Sequence, residues 1–292
     1  MSDARGEAPW IVPLSGGGEA ALRPVDGGWL LEVDGVRQSH VPAPGGRPPL
    51  AITRWMIAAL GRGDAIRALH LGGGILALPR ALADARPGST QLVAEKEPAF
   101  VELARTRFPA PDGAEVVEAD ARRLLAGTEE GAWDAVTIDV FAGGRIPPPF
   151  SSIECAAEAR RALAPGGLLV VNSVAGPEID FTRRHLAGLR ATFAHVAMIV
   201  QGSSLGGLRF GNACLVASDR PLDADGIRGS LREDPSKGAL VTDLDDLVGD
   251  AAPLHDTDET WSPEPDLPDA ANALAALERM RQTLTQLLPP KG

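Results

Sequence analysis

Ala68-Leu69-His70-Leu71-Gly72-Gly73-Gly74-Ile75-Leu76-Ala77 is the stretch on which the fold of this chain turns. An apolar run enters three consecutive glycines and leaves them as a helix-forming run. Continuous apolar character suits a strand of a parallel sheet, which is covered on both faces. Three glycines let the backbone turn tightly and approach a ligand without a side chain in between. A helix predicted from Ile75 then aims its N-terminal amides at that gap, where a phosphate or another polar group of a nucleotide or nucleoside is stabilised. A plain strand-to-helix turn is the alternative. Gly72, Gly74 and Ala77 also match G-x-G-x-x-A, which keeps a dinucleotide in view.

Outward from that turn the chain alternates. Strands are predicted at 65–71, 91–94, 115–118, 135–138 and 168–172, with helices at 75–85 (interrupted by Pro79), 97–108, 122–126, 153–163 and 181–192. Such alternation means a parallel α/β sheet with crossover helices. Two further strands, 195–200 and 212–218, have only a Gly/Ser loop between them and no room for a helix, so they pair as an antiparallel hairpin. A doubly wound sheet that finishes this way resembles the class I S-adenosylmethionine-transferase fold, a Rossmann-like sheet; a dinucleotide dehydrogenase normally continues with more βα units.

Ahead of this unit, 28–39 reads as a hairpin around Asp34-Gly35, and 52–60 as a helix stopped by Gly61-Arg62-Gly63. After Pro221, helices are predicted at 222–231 and 242–248. The acidic, proline-rich run 252–268 is expected to be irregular, and Asp269 caps a last helix to Leu288. The expected division is 1–48, a small β element; 49–220, the nucleoside-binding transferase domain; and 221–292, a C-terminal extension. The hairpin and the last helix are candidate contacts for a homodimer.

With 292 residues the chain can bury a sizeable core, and its net charge of −11 argues against nucleic acid as a partner. No apolar run is long enough to cross a bilayer, and no secretion signal is expected behind Met1. Cys155 and Cys214 sit in apolar stretches and read as buried free thiols, which fits a cytoplasmic location. The five histidines are scattered, so no metal site is expected.

In an open α/β sheet, ligands lie beyond the carboxyl ends of the strands. Glu95 ends the second strand about twenty residues past the glycines, where an acid accepts both hydroxyls of a ribose. Asp120 ends the third, placed either to accept from an adenine amino group or to cap the helix that follows. Asp139 ends the fourth, beside the reacting group, where a carboxylate takes a proton from an attacking amine or holds an ammonium; a loop-fixing acid is the alternative.

Together these residues resemble the spermidine synthase family of polyamine aminopropyltransferases, from the hairpin near Trp29 to about Ser218. Leu31-Glu32-Val33-Asp34-Gly35-Val36-Arg37-Gln38-Ser39 is similar to the family's N-terminal hairpin with its Gln. Leu71-Gly72-Gly73-Gly74 is similar to its glycine motif, and Val93-Ala94-Glu95-Lys96-Glu97-Pro98 to its ribose-acid segment. Glu118-Ala119-Asp120-Ala121 is similar to its adenine-contact segment, and Ile138-Asp139 to the start of its catalytic loop. The resemblance implies a donor-binding set of Gln38, Gly72, Gly74, Glu95, Asp120 and Ala121. It also implies decarboxylated S-adenosylmethionine as donor, a small-molecule amine as acceptor, no metal, and Asp139 as the base, in polyamine biosynthesis. The chain departs from the family pattern in three respects. Ile75 and Ala142 stand where the family has acids, and the chain has no tyrosine. Glu154 and Glu158 are candidates to restore negative charge. A methyltransferase using S-adenosylmethionine itself needs no such acids and is the alternative activity; a non-catalytic nucleoside-binding homologue is the alternative of another class.

Overall fold

The computed structural model describes residues 8–33 and 35–265. Its first element is a four-stranded antiparallel meander: β1 (Trp10–Pro13), β2 (Glu19–Val25), β3 (Gly28–Val33) and β4 (Val36–Pro42), in the order β1-β2-β3-β4. The predicted hairpin is its second half; the strands before it have short runs broken by glycine, which hid them from a search for alternation. Helix α1 (Ala51–Leu60) follows. The predicted alternation then unfolds as β5 (Arg67–Leu71), α2 (Ala77–Ala85), β6 (Thr90–Glu95), α3 (Pro98–Thr106), β7 (Ala114–Glu118), α4 (Ala121–Gly127), β8 (Trp133–Ile138), α5 (Ile153–Ala162), β9 (Leu163–Ala175) and α6 (Asp180–Thr192). The chain goes on through β10 (His195–Gln201), α7 (Gly202–Leu205), β11 (Gly211–Ser218), α8 (Ala224–Arg232), β12 (Gly238–Val241) and α9 (Asp245–Val248).

The large sheet has the order β12-β10-β11-β9-β8-β5-β6-β7. Strands β5 to β9 are mutually parallel, whereas β11 runs antiparallel to β9 and β10 antiparallel to β11. This is the doubly wound, mostly parallel sheet with a closing antiparallel hairpin expected from the sequence.

Four local expectations are corrected. Helix α2 begins at Ala77, two residues late, because Leu76 takes a left-handed conformation, φ 64°. Pro79 then falls in its first turn, where the missing N–H has no helical partner to lose, so it does not interrupt the helix. The link between β10 and β11 does contain one helical turn, α7. The region 242–248 is helical only from Asp245, and the residues before it form β12, which adds to the edge of β10. Four residues, one of them glycine, carry too little alternation to be read as a strand. The last predicted helix and Asp34 lie outside the described residues.

Side chains alternate across the sheet. Leu69, Leu71, Val136, Ile138, Leu169 and Val171 pack with α5 and α6 on one face. Ala68, Ala135, Val170, Ile199 and Cys214 pack with α1, α2 and α8 on the other. Cys155 and Cys214 therefore lie in separate clusters, and both are buried free thiols. The meander caps the carboxyl end of this sheet: its Ala20, Leu22, Leu31 and Val41 form one cluster with Ile75, Ala77, Leu103 and Phe108.

Candidate active site

The site is built where β5, β6, β7 and β8 end. Each ladder continues one residue past its strand, since Gly72 donates its N–H to Ala94 O at 3.0 Å and Asp139 donates to Leu71 O at 2.8 Å. Gly72 and Asp139 are thereby held side by side. Gly72 has φ +92°, and a Cβ there would lie 2.9 Å from the Asp139 carbonyl carbon, so the position is closed to a side chain.

The amides of the glycine turn have a partner within the protein. Gly73 and Gly74 donate to Glu95 Oε2 at 3.1 and 2.8 Å, and Glu97 N donates to Glu95 Oε1 at 2.8 Å. These turn amides lie ahead of the helix start and fix the orientation of the acid at the end of β6, whereas the first residues of α2, Ala77 and Leu78, line the cavity described below. Burial raises the Glu95 pKa, and the surrounding backbone N–H donors, those of Glu97, Gly74 and Gly73 foremost, pull against that rise.

Asp120 accepts from Arg123 N at 3.0 Å and caps α4, with Ala121 as the first helical residue. Capping uses one carboxylate oxygen, so the alternative reading from sequence is realised without occupying the second.

Asp139 Oδ1 accepts from Asn172 Nδ2 at 2.7 Å, and Asn172 Oδ1 accepts from Asn212 Nδ2 at 2.9 Å. Burial raises the Asp139 pKa, and the Asn172 hydrogen bond opposes it. These two asparagines were missed in the sequence, although each is an amide beside an apolar run: Asn172 follows Leu168-Leu169-Val170-Val171 and Asn212 precedes Ala213-Cys214-Leu215-Val216.

Gln38 reaches the same place from the meander. Leu31 pairs with Ser39 and Glu32 with Arg37, which leaves Gln38 as the extra residue of a β-bulge. Bulges re-aim a side chain and often flank active sites. Gln38, Ser39, Thr53, Gly72, Asp139 and Asn172 line one cavity of about 30 Å³, enough for a small terminal group and not for a nucleoside. The structure thus gathers Gln38, Gly72 and Asp139 at this cavity. Gly74, Glu95, Asp120 and Ala121 lie along the adjoining strand ends.

The departures from the family pattern also have a structural form. Ile75 is fully buried in the cluster that joins the meander to α3. Ala142 pairs its backbone with Arg145, and Arg145 donates to Ser262 O at 2.6 Å. Neither Glu154 nor Glu158 restores negative charge to the cavity. Glu154 is bonded to His255 at 2.9 Å, and Glu158 is ion-paired with Arg122. Both lie on α5, outside the lining. Among the described residues no group of three His, Cys, Asp or Glu side chains is placed to hold a metal ion, and no helix is long and apolar enough to cross a membrane.

Over 89% of its length the chain superposes on a probable spermidine synthase from Corynebacterium glutamicum ATCC 13032, with a TM-score of 0.79, 25% identity and 99% of that chain covered. It has a spermidine synthase-like fold. The same fold is shared with spermidine synthase from Thermotoga maritima, at TM-score 0.56, 13% identity, and 85% and 97% of the two chains. It is shared as well with a spermidine synthase in complex with the transition state analogue AdoDATO, at TM-score 0.55, 14% identity, and 85% and 96%. No family model matches the sequence, and no curated protein matches it. Within the spermidine synthase-like fold, the carboxyl ends of β5 to β8 are where a small-molecule ligand of an open α/β sheet lies.

Proposed function

We propose that this chain is a transferase that uses an adenosyl sulfonium donor and an amine acceptor. The observation that carries this reading is Asp139: a carboxylate at the end of β8, beside the glycine turn, oriented by Asn172 and raised in pKa by burial. In the proposed step the acceptor nitrogen attacks the carbon attached to sulfur. The carbon–sulfur bond breaks with its electron pair going to sulfur, and the surplus N–H proton passes to Asp139. Positioning supplies much of the acceleration, and a buried base with a raised pKa is suited to the proton. Glu95 would take the ribose hydroxyls, Asp120 the adenine amino group, and Gln38 the reacting end.

Aminopropyl transfer from decarboxylated S-adenosylmethionine is the reading supported by the spermidine synthases of like fold, one of which is complexed with AdoDATO. Methyl transfer from S-adenosylmethionine is the second reading. It is favoured by the burial of Ile75 and the backbone pairing of Ala142, with Asp139 the one charged side chain among the described residues that line the cavity.

The test is binding followed by product analysis. Calorimetry with S-adenosylmethionine, its decarboxylated form and methylthioadenosine is expected to give measurable affinity for at least one. Mass spectrometry of reactions with an amine panel then identifies the transferred group. Aminopropylated product supports the first reading and methylated product the second. Binding without turnover over the panel points to a nucleoside-binding homologue, and no binding refutes the proposal.

A further inference from the structure

Asp139 faces the carboxamide of Asn172, and a carboxamide has two ends of opposite character. Its Nδ2 donates and its Oδ1 accepts, and the two ends differ little in shape. Packing alone therefore does not choose which end meets the acid. The donor end is the one turned to Asp139, at 2.7 Å from Oδ1. The acceptor end is taken by Asn212, whose Nδ2 donates to Asn172 Oδ1 at 2.9 Å.

Asn212 reaches this place from the closing hairpin. On β11 the residue directly opposite Asn172 is Cys214, and Asn212, opposite Val174, stands two residues along the same strand. Residues two apart on a strand share a face, so Asn212 sits diagonally across from Asn172, within reach of a side chain. Asp139 and Asn172 line the cavity, whereas Asn212 lies outside the lining. Asn212 thus acts on Asp139 through Asn172.

The arrangement is directional. If Asn172 turned over, its NH2 would meet the Asn212 NH2 and its C=O would meet the carboxylate. The second contact becomes a hydrogen bond only when Asp139 holds a proton. As oriented, Asn172 stabilises the ionised carboxylate, the form that can take a proton. No other charge at the cavity does this work. Gln38 and Ser39 from the meander, Thr53 from α1 and Ala77, Leu78 and Pro79 from α2 face it without charge. Arg54 of α1 is held by Asp234 at 2.6 Å. On β5, His70 is bonded to Thr137 and Gln91, and burial holds its pKa at about 4. On β11, the Cys214 thiol feels the Asp139 charge, and burial together with that charge keeps it protonated.

We propose that Asn212 is a positioning residue for the proton transfer: it fixes the polarity of the Asn172 amide, so that Asp139 meets an N–H and stays free to accept a proton. The proposal rests on the reading of Asp139 as the base and adds to it a residue outside the cavity.

Carboxyl-carbon NMR titration of the chain without ligand tests this, with the Asp139 signal assigned by its loss in Asp139→Asn. Asn212→Leu is expected to raise the Asp139 pKa by about one unit. The acid limb of the kcat/KM profile should move up with it. In an Asn172→Leu background the same substitution is expected to leave the Asp139 pKa where it was, because the amide that carries the effect is gone. Asn212→Asp keeps the size of the side chain and decides the matter if Asn212→Leu does not fold. Its charge acts in both backgrounds and the turning of Asn172 in one, so it should raise the pKa further when Asn172 is present. An unmoved Asp139 pKa in Asn212→Leu overturns the proposal, as does an equal rise in the two backgrounds for either variant. The expected shifts without transfer product from the wild type refute the transferase reading and leave the amide relay standing. Product formation with an unmoved pKa does the reverse.

Discussion

Replacing Gly72 by alanine tests whether the junction between the glycine turn and Asp139 is as tight as its geometry states. At φ +92° a non-glycine residue is strained, at a cost of roughly 1–2 kcal/mol. The added Cβ would also sit 2.9 Å from the Asp139 carbonyl carbon, where ordinary contact begins at 3.4 Å, and closer still to its oxygen. The neighbour is backbone within a ladder, tied by the Asp139 N to Leu71 O hydrogen bond, so it has to move by half an ångström or more. Overpacking of this kind costs about 1–3 kcal/mol. Gly74→Ala is the control. It carries a similar backbone cost at φ +51°, but its Cβ meets nothing nearer than Ser39 Cβ at 3.7 Å, an ordinary contact. Both variants gain about 0.4–1 kcal/mol from a stiffer unfolded chain, so that gain cancels in the comparison. Gly72→Ala is therefore expected to be less stable than Gly74→Ala by about 1–3 kcal/mol, or several degrees in Tm at about 2–4 °C per kcal/mol. The movement also displaces Asp139, so turnover should fall further in Gly72→Ala, by up to about a hundredfold for an ångström of error. Urea unfolding of the two variants, beside the turnover assay, measures both. Equal stabilities and equal activities would refute the reasoning.

Asp139→Asn is expected to cut turnover by roughly 10²–10⁴, the usual contribution of a general base, while nucleoside affinity measured by calorimetry is retained. The same variant should be more stable than wild type at neutral pH. A carboxyl whose folded pKa is raised contributes stability below its unfolded pKa, about 3.9, and loses it as pH rises through the folded value. The stability gap is thus present above that window and closes as pH falls to about 4; thermal melts across pH follow it, and a gap that widens toward acid would contradict the burial argument. Ile75→Asp places an unpaired carboxylate in the cluster between meander and α3, at a cost of about 3–5 kcal/mol. Unfolding titrations should show that loss; wild-type stability together with tighter binding of decarboxylated S-adenosylmethionine would show instead that position 75 faces the ligand.

What could be read from the sequence divides along a physical line. The parallel core was legible because β5, β8 and β9 are apolar runs bounded by glycine or acid, and because no crossover helix fits between β10 and β11. That Glu95, Asp120 and Asp139 lie at or just past the ends of β6, β7 and β8 was legible because each acid closes a short strand-forming run. The first two strands of the meander and β12 were not, since strands of four to seven residues that contain or adjoin glycine or proline carry little periodicity. Thr53 was hidden for a different reason. A threonine in the first turn of an amphipathic helix looks like any other, and only the tertiary position of α1 puts it in the wall of the cavity that Asp139 also lines. Ile75 shows the reverse case: as a letter it reads as a missing acid, whereas in the fold it is a core residue that seats the meander on the glycine turn.

The register of the site depends on a polar contact below it. His70, two residues before Gly72, is fully buried, with Nδ1 2.8 Å from Thr137 Oγ1 and Nε2 2.9 Å from Gln91 Oε1. Gln91 donates its own amide to Pro79 O at 3.1 Å, so its oxygen is the acceptor and His70 Nε2 carries the proton. Thr137 then donates to Nδ1. Burial holds the imidazole pKa at about 4, which keeps the ring neutral and this tautomer in place. Thr137 lies two residues before Asp139 on β8, and Gln91 four before Glu95 on β6. One imidazole thus joins the three strands that end in Gly72, Glu95 and Asp139, and joins them to α2. A slip of one residue in either strand pairing would turn Thr137 or Gln91 to the opposite face and leave a buried ring nitrogen unpaired, at about 1–3 kcal/mol. Apolar side chains alone tolerate such a slip far better. The imidazole therefore ties the relative heights of the glycine turn, the acid of β6 and the acid of β8 to a single register, the one in which all three meet.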